Sequence, residues 1–200
     1  MIADLIETLK TDGHFRPRVE HMATLPSREP LYGTLKGELP RPLQAYLDKK
    51  KIRLYSHQCE AIEHLRSVKN VVITTPTASG KTLAFNLPVF EALLEDESAT
   101  ALFVYPTKAL SNDQLKVIRE MERLCGASIR PAIYDGDTPL SRRSAIRDAA
   151  RIIITNPHEL HQILPWHQKW QAFLRNLRFV IIDEAHTYRG VFGSNLAFEI

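Results

Sequence analysis

From residue 70 onward the chain alternates short apolar runs with amphipathic stretches, and this alternation restricts the fold more than any other feature. The runs at 71–75, 101–105, 128–134, 151–155 and 179–182 have the length of strands. Helical periodicity fills 81–94, 111–124, 139–148 and 158–174. Strands separated by amphipathic helices predict βαβ units, and therefore an α/β fold with a mostly parallel sheet flanked by helices. Ligands of such sheets bind beyond the carboxyl ends of the strands. The segments richest in reactive and phosphate-gripping side chains fall at those ends.

The first of them is Thr75-Pro76-Thr77-Ala78-Ser79-Gly80-Lys81-Thr82, set between an apolar run and a helical pattern. Strand, loop and helix in that order are what a phosphate-binding loop requires. The backbone N–H groups of residues 77–81, from Thr77, Ala78 and Ser79 on, are expected to wrap a β-phosphate at the positive end of the following helix. Gly80 permits close approach, Lys81 reaches the β- and γ-phosphates, and the Thr82 hydroxyl is placed for Mg²⁺. Thr75 stands where the pattern has its first glycine. At the end of the last apolar run, Asp183-Glu184-Ala185-His186 supplies an acidic pair: Asp183 to hold Mg²⁺ through its water shell, Glu184 to orient or deprotonate an attacking water. Upstream, the Gln58 amide matches the N6/N7 edge of adenine. Tyr55 is either a stacking partner for that base or a packed surface aromatic. These residues predict an ATP and Mg²⁺ site.

The rest of the chain bounds this reading. Ile2, Leu5, Ile6 and Leu9 predict a short N-terminal helix ended by Gly13, and five prolines between 17 and 42 predict an extended arm. The expected division is an N-terminal helix and arm over 1–50 and an α/β domain over 51–200. Ser56 is the expected N-cap of a helix running to about residue 67. With 44% hydrophobic and 24% charged residues the composition is that of a folded water-soluble domain, and a formal charge of +3 says little about a polyanionic partner. Cys59 and Cys125 have no metal spacing and are expected to be reduced. The early acids and missing basic n-region read as no secretory leader, and no apolar run reaches the length of a membrane span, so a cytoplasmic protein is expected. The apolar helical pattern at 196–200 carries no stop signal, which reads as the front part of a longer protein.

Together these residues resemble a superfamily-two helicase of the DEAD/DEAH type. Gln58 resembles its Q motif and residues 75–82 its motif I, where threonine for the first glycine is frequent. Pro106-Thr107-Lys108-Ala109-Leu110 with Gln114 resembles motif Ia, and Asp135-Gly136-Asp137-Thr138 is similar to motif Ib. Thr155-Asn156-Pro157-His158-Glu159-Leu160 resembles the next motif that contacts nucleic acid, and Asp183-Glu184-Ala185-His186 resembles motif II. The segments around Trp166-His167 and Thr187-Tyr188-Arg189-Gly190, with the Pro-rich arm, resemble the bacterial MrfA/YprA group of RecQ-related DNA helicases. The resemblance implies the first of two RecA-like P-loop NTPase lobes, with the second lobe further along the same chain. It implies an ATP-dependent DNA helicase that unwinds DNA in repair, 3′-to-5′ translocation, and an isolated lobe that is nearly inactive. It also implies that Thr107, Lys108, Gly136, Asp137, Thr155 and Asn156 grip the backbone of single-stranded DNA, or DNA with a single-stranded tail, and that His186 couples the ATP site to the missing lobe. An RNA helicase and a non-catalytic nucleotide-regulated interaction domain remain open as alternatives.

Arg142, Arg143, Arg147 and Arg151 add charge near motif Ib, or form a solvated helix face. Arg189 faces either nucleic acid or the absent lobe. His158-Glu159-Leu160-His161 lacks the spacing of a zinc protease helix, and Trp166 and Trp170 are expected to pack rather than stack on bases.

Overall fold

A computed structural model describes residues 2–23, 29–74, 80–190 and Gly193. It divides into two compact units, Met1–Leu31 and Tyr32–Ile200. In the first, α1 (Ile2–Thr11) is followed by a single 3-10 turn at Arg16–Arg18, and neither buries a residue.

The second unit holds the sheet. Its elements are α2 (Arg41–Lys50), α3 (Ser56–Arg66), α4 (Lys81–Glu95), β1 (Thr100–Val104), α5 (Lys108–Cys125), β2 (Ala132–Ile133), α6 (Leu140–Ala149), β3 (Ile152–Thr155), α7 (Pro157–Ile163), α8 (Gln171–Arg175) and β4 (Leu177–Ile182). All pairings are parallel and the strand order is β2-β3-β1-β4. β1 and β3 are buried along their whole length, as expected of strands covered on both faces. Their alternate side chains feed two separate cores. Ala101, Phe103, Tyr105, Ile152 and Ile154 pack with α2, α3, α4 and α5. Leu102, Val104 and Ile153 pack with α7, α8 and the turn between them. Each fully buried large side chain contributes roughly 1.5–3 kcal/mol relative to exposure.

The register aligns the strand ends. Val104 lies opposite both Thr155 and Ile182, and Ile133 opposite Ile154. Whatever follows β1, β2, β3 and β4 therefore shares one edge of the sheet. Behind that edge, α4 and α5 are joined by a buried contact in which Gln114 Nε2 donates to Asn86 Oδ1 at 3.1 Å. On the other side of α4, Arg66 of α3 grips Glu91 with two bonds of 2.6 and 2.9 Å.

Four expectations are corrected. Residues 71–74 form no strand: no ladder bond holds them, Val72 is 87% exposed, and β4 closes the described sheet. β-propensity expresses fit to a neighbouring strand, and here none is paired; Thr75 lies outside the described residues. The run at 128–134 pairs only at Ala132–Ile133, because Glu122 Oε1 takes the N–H groups of Ile129 and Arg130 at 2.8 and 2.6 Å and Arg130 adopts φ +56°. The helix expected over 158–174 is broken into α7, a 3-10 stretch Leu164–Trp170 and α8, since Pro165 has no N–H to give and Trp166 leaves helical geometry. The N-cap of α3 is Tyr55 rather than Ser56, because Gln58 Oε1 reaches back to accept the Tyr55 N–H at 2.8 Å. No helix among the described residues is long and apolar enough to cross a membrane.

Candidate nucleotide and nucleic-acid site

At the start of α4, Gly80 has φ +76°. A Cβ there would lie 2.6 Å from Gln58 Nε2, so both the backbone and the space demand glycine. Gln58 is 2% exposed and bridges two elements: Nε2 donates to the Gly80 carbonyl at 2.8 Å while Oε1 accepts from Tyr55. One amide hydrogen and one lone pair are left over. The glutamine is thus a bracket that fixes the end of the phosphate loop to α3. Lys81 and Thr82 form the first turn of α4 and are half-buried. Thr77, Ala78 and Ser79 lie outside the described residues. The Tyr55 ring is stacked between Tyr32 at 5.5 Å and His57 at 5.7 Å, and Arg53 sits 4.0 Å above the outer face of this ladder on Tyr32. Tyr32 in the arm and Arg53 just after it carry no periodic signal, and sequence reasoning missed them.

The acidic pair sits where β4 ends, and α4 packs against β4. Asp183 donates its N–H to Val104 of β1 at 3.1 Å. Glu184 takes the left-handed conformation, φ +50°, and its N–H caps Asp183 Oδ1 at 2.9 Å. Asp183 Oδ2 takes no part in that bond. His186 Nδ1 lies 3.3 Å from Glu184 Oε2. Next to this pair is Tyr105, the residue that follows β1. It is 2% exposed, and its hydroxyl has no hydrogen-bond partner among the described residues. Burial, then Asp183 and Tyr188, push its phenol pKa upward. Tyr188 is pushed up to about 12 by burial and by the charges of Asp183 and Glu184.

The other three strand ends carry the residues expected to grip nucleic acid. After β1, Thr107 is exposed and caps α5, its hydroxyl accepting the Leu110 N–H at 3.3 Å. After β3, Asn156 caps α7 through Glu159 N–H at 2.9 Å. After β2, Asp135 and Thr138 tie a tight turn: the Asp135 N–H donates to Thr138 Oγ1 and the Asp137 N–H to Asp135 Oδ1. The turn projects Gly136 and Asp137 outward, with open space around Gly136. Lys108 and Asp137 form an exposed ion pair across from β1 to β2, which raises the lysine pKa. Thr155 is different. It is 1% exposed and its hydroxyl donates to the Tyr134 carbonyl at 2.7 Å, so its side chain serves the sheet.

The arginines near this edge divide sharply. Arg143 donates to the carbonyls of Thr138 and Asp135, pairs with buried Glu159 at 2.9 Å and lies over Tyr134. It holds the 135–138 turn onto α7. Arg151 is engaged by the carbonyls of Leu93, Asp96 and Ala99 behind α4. Neither is a solvated charge. Arg147 leans on its neighbour Asp148 at 3.5 Å.

Residues 55–198 match the DEAD/DEAH box helicase family. The chain belongs to that family. It is 46% identical over 157 residues to the ATP-dependent helicase YprA of Bacillus subtilis, a match covering 78% of this chain and 21% of that protein. It is 39% identical over 201 residues to the ATP-dependent helicase HRQ1 of Saccharomyces cerevisiae, covering 98% of this chain and 18% of the relative. Among solved structures it matches the DUF1998 helicase MrfA bound to DNA and AMPPNP, with a TM-score of 0.88, 40% identity, and 98% of this chain against 27% of that one. These similarities fit the MrfA/YprA group. The fold is that of a RecA-like helicase lobe, and the chain spans about a fifth of the length of these curated relatives.

Proposed function

We propose that this chain is the first motor lobe of an ATP-dependent DNA helicase of the cytoplasm. In this reading it couples ATP hydrolysis to movement along single-stranded DNA, and it works with a second lobe in a longer protein that acts in repair. The observation that supports the reading is the shared edge: the strand register aligns the carboxyl ends of β1, β2, β3 and β4, so Thr107, Gly136, Asn156 and Asp183–Glu184 all follow strands that end at one edge of the sheet, and α4, which begins at Lys81, packs on β4. In this reading one sheet carries both the phosphate site and the backbone-gripping surface.

The donor set suits Mg²⁺ carried by a nucleotide. No group of three or more His, Cys, Asp or Glu among the described residues could cage a metal. A hydrated ion held by phosphates needs little more than the Thr82 hydroxyl and the free oxygen of Asp183. Mg²⁺ would supply neutralisation of phosphate charge. Lys81 holds the β- and γ-phosphates, and the amides of residues 77–81 wrap the β-phosphate. Glu184 orients the attacking water and takes its proton, with His186 beside it to pass the occupancy of the site to the second lobe. Gln58, with one amide hydrogen and one lone pair left over, reads the adenine edge, while Tyr55 serves as a packed aromatic against Tyr32 and His57. Thr107, Lys108, Gly136, Asp137, Asn156 and the backbone at Thr155 grip phosphates without reading bases. DNA is favoured because the MrfA relative was solved with DNA. Cytoplasmic residence agrees with two buried free thiols, Cys59 and Cys125.

ATP hydrolysis by the full-length protein tests the reading: single-stranded DNA should stimulate it more than RNA, and Lys81→Ala should abolish the stimulation. Equal or stronger stimulation by RNA would overturn the DNA assignment. Unchanged hydrolysis in Lys81→Ala would overturn the motor assignment.

A further inference from the structure

Beyond the edge just described, a groove of about 420 Å³ opens at the outer side of β2, between α5 and α6. Arg119 of α5, Arg130 ahead of β2 and Arg142 of α6 line it. All three are exposed, and among the described residues none of their guanidinium groups has an ion-pair partner. The one carboxylate in the lining, Glu122, is turned onto the N–H groups of Ile129 and Arg130. That grip holds Arg130 at φ +56°, a conformation that costs a non-glycine residue energy and persists only where the surroundings impose it. The contrast with Arg143 and Arg151, whose donors are satisfied inside the fold, shows that arginine in this region is not uniformly structural. Ala132, Ala145 and Ala149 keep the floor and wall shallow enough for a chain to approach.

Position indicates what the groove takes. α6 begins just after the 135–138 turn, so Arg142 sits at the edge that carries Gly136 and Asp137. From there the groove follows α6, a helix of 10 residues and so roughly 15 Å long, toward Arg130. A polyanion leaving the Gly136 turn meets Arg142 first and the other two guanidiniums further along. A peptide strand could not add to this edge easily, since the ladder is two residues long and Pro131 offers no N–H.

We propose that this arginine groove is an exit track that holds the phosphodiester backbone of single-stranded DNA after it leaves the 135–138 turn. The inference rests on the helicase reading above. Base identity plays no part, and the track lengthens the occluded site and steepens its salt dependence.

The test is fluorescence anisotropy of labelled oligo-dT with the full-length protein and with Arg119→Ala/Arg142→Ala. Both positions are exposed on helices, where alanine is well tolerated. Oligomers of about 8 nucleotides, able to cover the motif edge alone, should bind both proteins equally, whereas oligomers of about 20 should bind the variant roughly tenfold more weakly. The slope of log K against log salt for the longer oligomer should flatten by about 1.4, two contacts at about 0.7 each. Unchanged affinity and slope for the longer oligomer would overturn the track, as would equal losses at both lengths. An acidic peptide that binds wild type but not the variant, with DNA binding intact, would also overturn it. If wild type binds neither oligomer, the helicase reading itself fails; if wild type binds both and the variant matches it, only the track fails.

Discussion

The two halves of the sheet's carboxyl edge are finished by different means. Around β2 and β3 the polar groups close on one another: Asn156 caps α7, Asp135 and Thr138 tie their own turn, Thr155 satisfies Tyr134, and Arg143 fastens the turn to Glu159. Around β4 and α4 the structure keeps tension and unanswered polarity: Glu184 at φ +50°, and a Tyr105 hydroxyl with no partner among the described residues. On the function proposed above, a surface that grips any phosphodiester can be completed in advance, because its ligand brings the same backbone every time. A hydrolytic site holds groups ready for charge that arrives with the nucleotide, and strained backbone concentrates where surroundings impose it for function.

If that division is right, the two halves fail differently. The largest effect is expected from Lys81→Ala, which should lower ATP hydrolysis by the full-length protein about 10²–10³-fold and leave nucleotide-free DNA binding within about twofold, as seen by anisotropy. Arg143→Ala should do the opposite. It strands buried Glu159 and frees the 135–138 turn, with a loss of about 3 kcal/mol read as a melting point on the order of 10 °C lower, while nucleotide affinity holds. Gly80→Ala combines left-handed backbone with a 2.6 Å clash against Gln58. It should raise the nucleotide Kd about tenfold in a fluorescent-ATP titration, through roughly 1–2 kcal/mol of strain.

Tyr105→Phe should stabilise the lobe by about 1 kcal/mol, because it removes a buried hydroxyl that none of the described residues answers; a lower melting point would show that the β4 half is as self-satisfied as the other. The same variant sharpens a pH expectation. Raised phenol pKa values mean that the folded lobe holds those protons more tightly than the unfolded chain. For Tyr188, lifted from 10.0 to about 12, that stability is complete below pH 10 and is lost as pH climbs toward 12. Tyr105 is shifted the same way, so its removal should make the alkaline loss shallower in a denaturant titration across that window. The smallest effect is expected from Lys108→Ala, an exposed contact. It should flatten the salt dependence of single-strand binding by about 0.7 in slope and leave the fold unchanged.

Much of this contrast was legible before any coordinates. β1, β3 and β4 are legible to within one or two residues: β1 and β3 are covered on both faces and so appear as unbroken apolar runs, and β4 is apolar through its last four residues. The chemistry-bearing residues were legible for a related reason: they follow those runs directly. What escaped depends on contacts distant in sequence. Nothing at Glu122 announces that it takes two N–H groups seven and eight residues on and shortens β2. Nothing at Arg143 separates it from Arg142 in a run of helical arginines, yet one is locked inward and the other lies in a groove. Alternation could not tell that Thr155 turns into the sheet, because a hydroxyl at a strand end is as suited to a carbonyl as to a phosphate.

The Gln114–Asn86 contact between α5 and α4 has one more consequence. Apolar faces tolerate sliding by fractions of an ångström, since their attraction depends weakly on direction. An amide bond shut away from water does not, because a small slip would orphan both partners at a cost of several times the thermal energy. The contact works like a dowel between two machined plates. The helix that starts at Lys81 and the helix that starts at Lys108 are indexed to each other, and their first turns keep a fixed spacing across the top of the sheet.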